Sequence, residues 1–295
     1  MPTQLKERFA SLQGEVQEQL ELAVVDSYPS EIHEAIKYSL LAPGKHLRPT
    51  LCLVTASIFG ADKSVAMPTA VGIEMIHVAT LIHDDLPIMD NDDMRRGKLS
   101  NHIVYGSDIA LLAGDALLAL SIEHIVKHTK GVDENTILSV VKKLLHTVGV
   151  SGLAGGQALD LLSQNAISID LATLDSIHTR KTAALIETAI TTGAMLAHVN
   201  LSEIELLTHY ANNIGLAYQI VDDILDETAT EAELGKPPGS DSANNKWTYP
   251  RLLGIDASWA RARSLVEEAK DYLLGLGDRT ILLRDLADFV VERQS

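Results

Sequence analysis

Five aspartates, Asp84, Asp85, Asp90, Asp92 and Asp93, fall within ten consecutive positions, and Arg95, Arg96 and Lys98 follow at once. Carboxylates this close raise one another's pKa unless a cation neutralises them. Their oxygens are hard ligands suited to Mg2+, which keeps several waters and completes its shell with phosphate. Arginine is shaped to grip phosphate oxygens two at a time. The stretch therefore reads as a magnesium–diphosphate site. A second cluster holds Asp222, Asp223 and Asp226. Asp222 and Asp226 are four apart, nearly on one line along a helix, with Gln219 one turn earlier. Their neighbours are apolar, so these charges need partners or a metal. Two lysines, Lys236 and Lys246, follow this cluster as the arginines follow the first.

Smaller groups carry chemistry only in company. Lys45 and Arg48 stand three apart at the start of a predicted helix, where backbone donors and the helix dipole favour an anion. Gln157 and Asp160 share a helical face just after Gly152, Gly155 and Gly156, small residues that suit close helix contact or backbone approach to a ligand. Arg180-Lys181-Thr182 is a polar triplet inside a helical region. Cys52 is the single cysteine, so neither an intramolecular disulfide nor a cysteine-built zinc site is available, and it reads as a buried small hydrophobe.

The elements that position these residues read as helices. Hydrophobic residues make up 46% of the 295, enough for a substantial core, whereas aromatics are 4%, a bias that favours helices over sandwiches or barrels. Helical spacing is expected over 4–24, over 31–41 with Ser30 as its cap, and to about Phe59 after Pro49. Further helices are expected over 66–83, 107–127, 135–164, 170–199, 202–228, 257–275 and 280–293. Leu86 precedes Pro87, which disfavours continued helix. On an unbroken helix Asp90 would lie about 120° from Asp84; a break lets it fold back to share a metal cluster. Gly and Pro density marks 229–249 as a loop. No composition shift or linker divides the chain, so residues 1–295 read as one all-α domain.

The formal net charge of -16 argues against nucleic acid as the main partner. No apolar stretch is read as reaching the roughly 18 residues of a membrane span, and the first residues lack a signal core. A soluble cytoplasmic protein is expected, or a plastid-stromal one if a transit peptide has been removed.

Together these motifs resemble the trans-isoprenyl diphosphate synthases. Residues 81–106, LIHDDLPIMDNDDMRRGKLSNHIVYG, are similar to that family's first aspartate-rich motif, and residues 218–226, YQIVDDILD, to its second. PGKHLRP, AGDALLA, GGQALDL, HTRKTAAL and ELGK extend the likeness over nearly the whole chain. The four residues between Asp85 and Asp90 match bacterial farnesyl and bacterial or plastid geranylgeranyl diphosphate synthases. The resemblance implies an all-helical isoprenoid-synthase bundle around a deep central cavity, usually a homodimer, that elongates prenyl chains head to tail. It implies three Mg2+ ions held by Asp84, Asp90 and Asp222, with Asp85, Asp223 and Asp226 close by. Arg95, Lys181 and Lys236 would hold the allylic diphosphate (dimethylallyl, geranyl or farnesyl). Thr182 and Gln219 would turn dipoles toward the allylic cation. Isopentenyl diphosphate would bind through Lys45, Arg48, His77 and Arg96. Its double bond attacks the cation, and a proton then leaves to the departing diphosphate. His46 stands where the family commonly has Arg, and Pro237-Pro238 is unusual there.

Product length is argued sterically. Ala79 lies five residues before Asp84, where similar farnesyl synthases carry an aromatic floor; alanine leaves room for a C20 rather than a C15 product, unless Ile109 or Leu112 sets the floor. Three rivals are weighed. A His83-Asp84 phosphohydrolase dyad leaves the second cluster unexplained. A terpene cyclase usually replaces the second aspartate set, and a non-catalytic partner subunit typically loses one motif; both are intact here.

Overall fold

The computed structural model describes residues 3–25, 28–164, 166–228 and 246–292. Helices account for nearly all of it. The order is α1 (Thr3–Ala23), α2 (Ser30–Leu40), α3 (Leu47–Ile58), α4 (Lys63–Asp84), α5 (Asn101–Tyr105), α6 (Ser107–His128), α7 (Glu134–Val148), α8 (Leu153–Gln164) and α9 (Leu171–His178). A π-helical turn, Thr179–Ala183, leads into α10 (Ala184–Leu196). Then come α11 (Leu201–Thr228), α12 (Tyr249–Leu253), α13 (Ile255–Leu274) and α14 (Ile281–Glu292). The all-α expectation holds.

α4 runs through the middle. Its residues from Ala66 to Ile82 are almost all buried, on every side, because α3, α6 and α10 pack around it. A helix that is apolar all round belongs inside a core. Each fully buried Ile, Met or Val contributes on the order of 1.5–3 kcal/mol. Asp62 starts the helix by accepting from Ser64 N at 2.8 Å. α11 packs against α10 and α13 and forms the second long axis of the bundle.

Several local expectations are corrected. Ser30 is the first helical residue and makes no cap bond to the backbone; Pro29 precedes the helix. The stretch 135–164 is two helices, broken after Val148 where Gly149 and Gly152 interrupt the ladder. The loop after Asp93 contains a two-residue-strand hairpin, β1 (Met94–Arg95) with β2 (Lys98–Leu99). Such short strands leave no periodicity to read. Three segments, Lys63–Asp84, Ser107–His128 and Glu134–Gln164, do reach spanning length and hydropathy, contrary to the sequence reading. The first is mostly enclosed by the other helices.

Candidate active site

The end of α4 turns as Pro87 requires. Asp90 N donates to Asp84 O at 2.9 Å, so the chain closes back on the helix terminus and brings the two side chains to one cleft. That cleft holds about 270 Å³ and is lined by both aspartate clusters, Asp84 and Asp90 on one wall and Asp222 and Asp223 on the other. Asp90 receives Lys246 Nζ at 2.9 Å and Gln157 Nε2 at 3.3 Å, with Lys181 Nζ at 3.6 Å. Burial opposes its ionisation, but Lys181 and Lys246 outweigh that and hold the carboxyl below its usual range. Asp84 goes the other way: burial, with Asp90 nearby, pushes it up to about 6. Asp85 points inward and accepts from Arg95 Nε and Nη2 at 2.9 and 2.6 Å. Arg95 also reaches Asp92 at 2.8 Å.

Across the cleft, α11 and the π turn meet through glycines. A Cβ on Gly156 would lie 2.5 Å from Lys181 N, and one on Gly215 would lie 2.5 Å from Ala183 Cβ. Only glycine lets α8 and α11 approach the turn this closely. Of the small residues after position 150, Gly156 serves helix contact, whereas Gly152 and Gly155 sit against the backbone of Thr147 and Val150 just before them. The turn presents Lys181 to Asp160 at 2.7 Å. Burial opposes the ammonium's charge, but Asp160, Asp84 and Asp90 raise its pKa regardless. Thr182 Oγ1 donates to Gln219 Oε1 at 2.7 Å, and Gln219 Nε2 donates to Asp223 Oδ1 at 2.8 Å. Gln219 therefore partners Asp223, its i+4 neighbour, rather than the Asp222 line suggested by sequence. Asp223 Oδ2 accepts from Tyr249 N at 3.1 Å, and His178 stacks on the Tyr249 ring. Asp226 is buried and does not line the cleft.

A basic group gathers beside this cleft. Arg48 Nη1 lies 3.4 Å from His77 Nε2. Burial, then the Arg48 charge, hold His77 well below the usual histidine range, so its ring is neutral and accepts from the guanidinium. Burial also lowers Arg48, while Tyr218, Glu74 and Asp222 counter the effect. Arg96 contacts Glu74 at 3.3 Å. Arg48 Nε and Arg96 Nη1 are buried without a hydrogen-bond partner among the described residues, the state of donors built for an incoming anion. Lys45 is exposed. Lys236 and Pro237-Pro238 lie outside the described residues.

Below Asp84 opens a second cavity of about 290 Å³, mainly apolar, lined among others by Thr80, Met89, Leu118, Val148 and Leu161 and by no Phe, Tyr or Trp. Ala79 is buried but is not on its wall; Thr80 is. The reason is helical geometry. Position i-4 lies about 40° from Asp84 around the helix, and i-5 about 140°. The expected floor at Ala79 is therefore off the cavity by one residue. Ile109 and Leu112 do not line it either. His83 lies on this wall with Nε2 3.1 Å from Leu111 O, a placement that does not suit a phosphohydrolase metal dyad.

The metal fit rests on the donor set. Among the described residues no three His, Cys, Asp or Glu side chains stand close enough to grip an ion by themselves. Mg2+ does not ask for that; it takes one or two carboxylates and fills its shell with water and phosphate. Asp84, Asp90 and Asp222 offer hard oxygens on opposite walls, and the lysine ammoniums on Asp90 stand where positive charge is favoured. The residues fit the ion. Sequence reasoning missed Lys246 and Asp160 as partners within the cleft, and His46 and Glu74 beside Arg96. Glu74 and Asp160 were visible as charges among apolar residues and Lys246 and His46 as polar residues in loops, but their partners are far apart in sequence.

Comparison with known proteins agrees with this geometry. The polyprenyl synthetase family profile matches residues 29–271. A dimethylallyltranstransferase from Fischerella ambigua is 48% identical over 98% of this chain and 84% of its own length. A geranylgeranyl diphosphate synthase from Cyanophora paradoxa is 46% identical over 95% of this chain and 93% of its own. The crystal structure of an FPP/GFPP synthase from Zymomonas mobilis superposes with a TM-score of 0.87 at 32% identity, covering 99% of this chain and all of that one. With two facing aspartate walls in a helical bundle and likeness along nearly its full length, this chain belongs to the polyprenyl synthetase family.

Proposed function

We propose that this chain adds isopentenyl diphosphate head to tail to an allylic diphosphate and makes geranylgeranyl diphosphate. The enzyme is a short-chain trans-prenyltransferase. The observation that carries the reading is the cleft with Asp84 and Asp90 facing Asp222, opening near a long cavity free of bulky rings. Asp84, Asp90 and Asp222 would hold Mg2+, three ions in this reading, which would neutralise charge growing on the departing diphosphate. Lys181 and Arg95 hold that diphosphate, with Lys246 beside them in the cleft; Lys236 is assigned the same role from sequence. Thr182 is held by Gln219, and the two turn their oxygen dipoles toward the positive carbon. Lys45, Arg48, His77 and Arg96 bind isopentenyl diphosphate and aim its double bond at that carbon. The proton released after bond formation goes to the departing diphosphate, and no side-chain nucleophile takes part.

The C20 product rests on the cavity wall and on likeness to the geranylgeranyl synthase, at higher identity than to the FPP/GFPP synthase. Thr80 and Leu118, rather than Ala79, are assigned to its limit. A homodimer is supported by exposed Ile103, Val104, Leu111 and Leu112 along α5 and α6. An aqueous setting, cytoplasm or plastid stroma, goes with this reading. The test is incubation with isopentenyl diphosphate, each of dimethylallyl, geranyl and farnesyl diphosphate in turn, and Mg2+, followed by product-length analysis. A C20 product is expected. No condensation with any primer overturns the function, and a C15 end product overturns the length.

A further inference from the structure

We propose that His46 and Glu74 are positioning residues for Arg96, and that the contact chain Gln17–His46–Glu74 behind Arg96 sets the affinity for isopentenyl diphosphate without itself touching it. This rests on the functional reading above. Glu74 is a fully buried carboxylate in the middle of the otherwise apolar α4. Burying an ion costs several kcal/mol even when it is paired, so stability alone is a weak reason for its presence. Its Oε1 has two nitrogen neighbours, His46 Nδ1 at 3.0 Å and the Arg96 guanidinium Nη2 at 3.3 Å. Burial would raise Glu74, but the His46 contact and the surrounding positive charge hold it down at about 2. Glu74 is thus a fixed anion for Arg96 to lean on.

His46 is itself held from behind. Its Nε2 lies 3.1 Å from Gln17 Oε1, and Gln17 Nε2 donates to Glu21 Oε1 at 3.2 Å, which fixes the amide's orientation. Each ring nitrogen therefore meets an oxygen, Glu74 Oε1 on one side and Gln17 Oε1 on the other. α1, the α3 entry, α4 and the hairpin are joined by this one chain of contacts.

Backbone strain falls at both ends of the inner pair. His46 and Arg96 adopt φ of 38° and 53°, a left-handed conformation that side-chain-bearing residues avoid. Arg96 and Gly97 form the two-residue hairpin turn, whose first position ordinarily takes Asn, Asp or Gly. An arginine there is a poor turn former kept for its side chain. Opposite Glu74, Gly44 closes the box: a Cβ on it would lie 2.8 Å from Arg96 Nη1. The Arg96 guanidinium is fixed between carboxylate and glycine, and its Nη1, like Arg48 Nε, has no hydrogen-bond partner among the described residues.

The experiment measures KM for each substrate separately in Glu74→Gln, His46→Gln and His46→Arg, together with thermal unfolding. Glu74→Gln and His46→Gln are expected to raise KM for isopentenyl diphosphate about tenfold or more, the scale of one charge-assisted contact. KM for the allylic diphosphate stays within about twofold, since that substrate meets other residues. His46→Arg keeps a nitrogen donor against Glu74 and stays within about threefold of wild type. The proposal is overturned if KM for isopentenyl diphosphate does not move, if both KM values rise together, or if His46→Arg is as impaired as His46→Gln. Should Glu74→Gln fail to fold, the two His46 variants decide. Wild-type protein that performs no condensation overturns the functional reading instead, and this inference with it.

Discussion

Asp84–Asp85 and Asp222–Asp223 are adjacent pairs on the two long helices of the bundle, and each divides its labour the same way. Asp84 and Asp222 line the cleft; Asp85 is held off its wall by Arg95, and Asp223, at the wall beside Asp222, is held by Gln219 and the Tyr249 backbone. Neighbours on a helix point about 100° apart, so one cannot face the cleft fully without sending the other to packing. The third aspartates differ. α4 breaks before Pro87, and Asp90 returns to the Asp84 terminus. α11 continues to Thr228, and Asp226 stays one turn beyond Asp222, buried and off the cleft wall. A broken helix brings back a carboxylate six residues on; an unbroken one offers only its adjacent pair.

The largest effects should follow that division. Asp84→Asn, Asp90→Asn and Asp222→Asn are each expected to lower kcat about 10³-fold, as for removal of a principal charge-stabilising contact. Asp85→Asn and Asp223→Asn should cost about ten- to a hundredfold, because they loosen Arg95 and Gln219 rather than remove a ligand. Steady-state kinetics at saturating Mg2+ reads the difference. Equal losses within either pair would erase the assigned roles.

How much of this was legible in sequence depends on the range of the interaction. The Asp90 fold-back was, because Pro87 acts on its immediate neighbour. The α11 face was nearly so; only the Gln219 partner was misassigned by one position. The π turn that aims Lys181 and Thr182 left no sequence signal, since α9, the turn and α10 form one continuous helical pattern. Glu74 was visible as a charge within an apolar helix. Its partners His46 and Arg96 come from other elements, and the positive φ of both runs against their local preference. The same holds for Lys246, which reaches Asp90 from 156 residues away.

The first wall also holds an internal contrast that pH can expose. Asp84 rises from 3.8 to about 6 in the folded chain, while Asp90 falls below 3.8. A raised carboxyl favours the folded state when protonated: its contribution is fully present below about 3.8 and lost as pH rises through about 6. For a partly exposed side chain this amounts to about 2 kcal/mol. Asp90 has the opposite sign, stabilising above its unfolded value and losing that as pH falls. In EDTA, Asp84→Asn should therefore gain Tm relative to wild type between pH 4 and pH 7. Asp90→Asn should lose it. The same direction for both would contradict the asymmetry.

A smaller change in rate, but a visible one in product, is expected where α4 meets the lower cavity. Thr80→Phe puts a ring into the space below Asp84 and should shorten the main product from C20 to C15. Ala79→Phe, off that wall, should disturb packing more than length, costing about 1–3 kcal/mol from overpacking. Product chromatography and thermal unfolding separate the two. A C15 product from Ala79→Phe with Thr80→Phe unchanged would return the floor to the position first expected from sequence.

The smallest effect tests the unbroken wall itself. Asp226 repeats the chemistry of Asp222 one turn later, and sequence spacing gives the two equal standing. In the folded chain Asp222 lines the cleft and Asp226 is 3% exposed and does not. Asn keeps the shape and most hydrogen bonding of Asp, so Asp226→Asn removes a charge without opening a cavity. If distance from the cleft governs the role, kcat should fall by no more than about threefold, under 1 kcal/mol. The Mg2+ concentration for half-maximal rate should not shift, whereas Asp222→Asn should raise it. A shift for Asp226→Asn comparable to that for Asp222→Asn would mean that α11 contributes two ligands despite its unbroken geometry, and the contrast with α4 would then lie in the backbone alone.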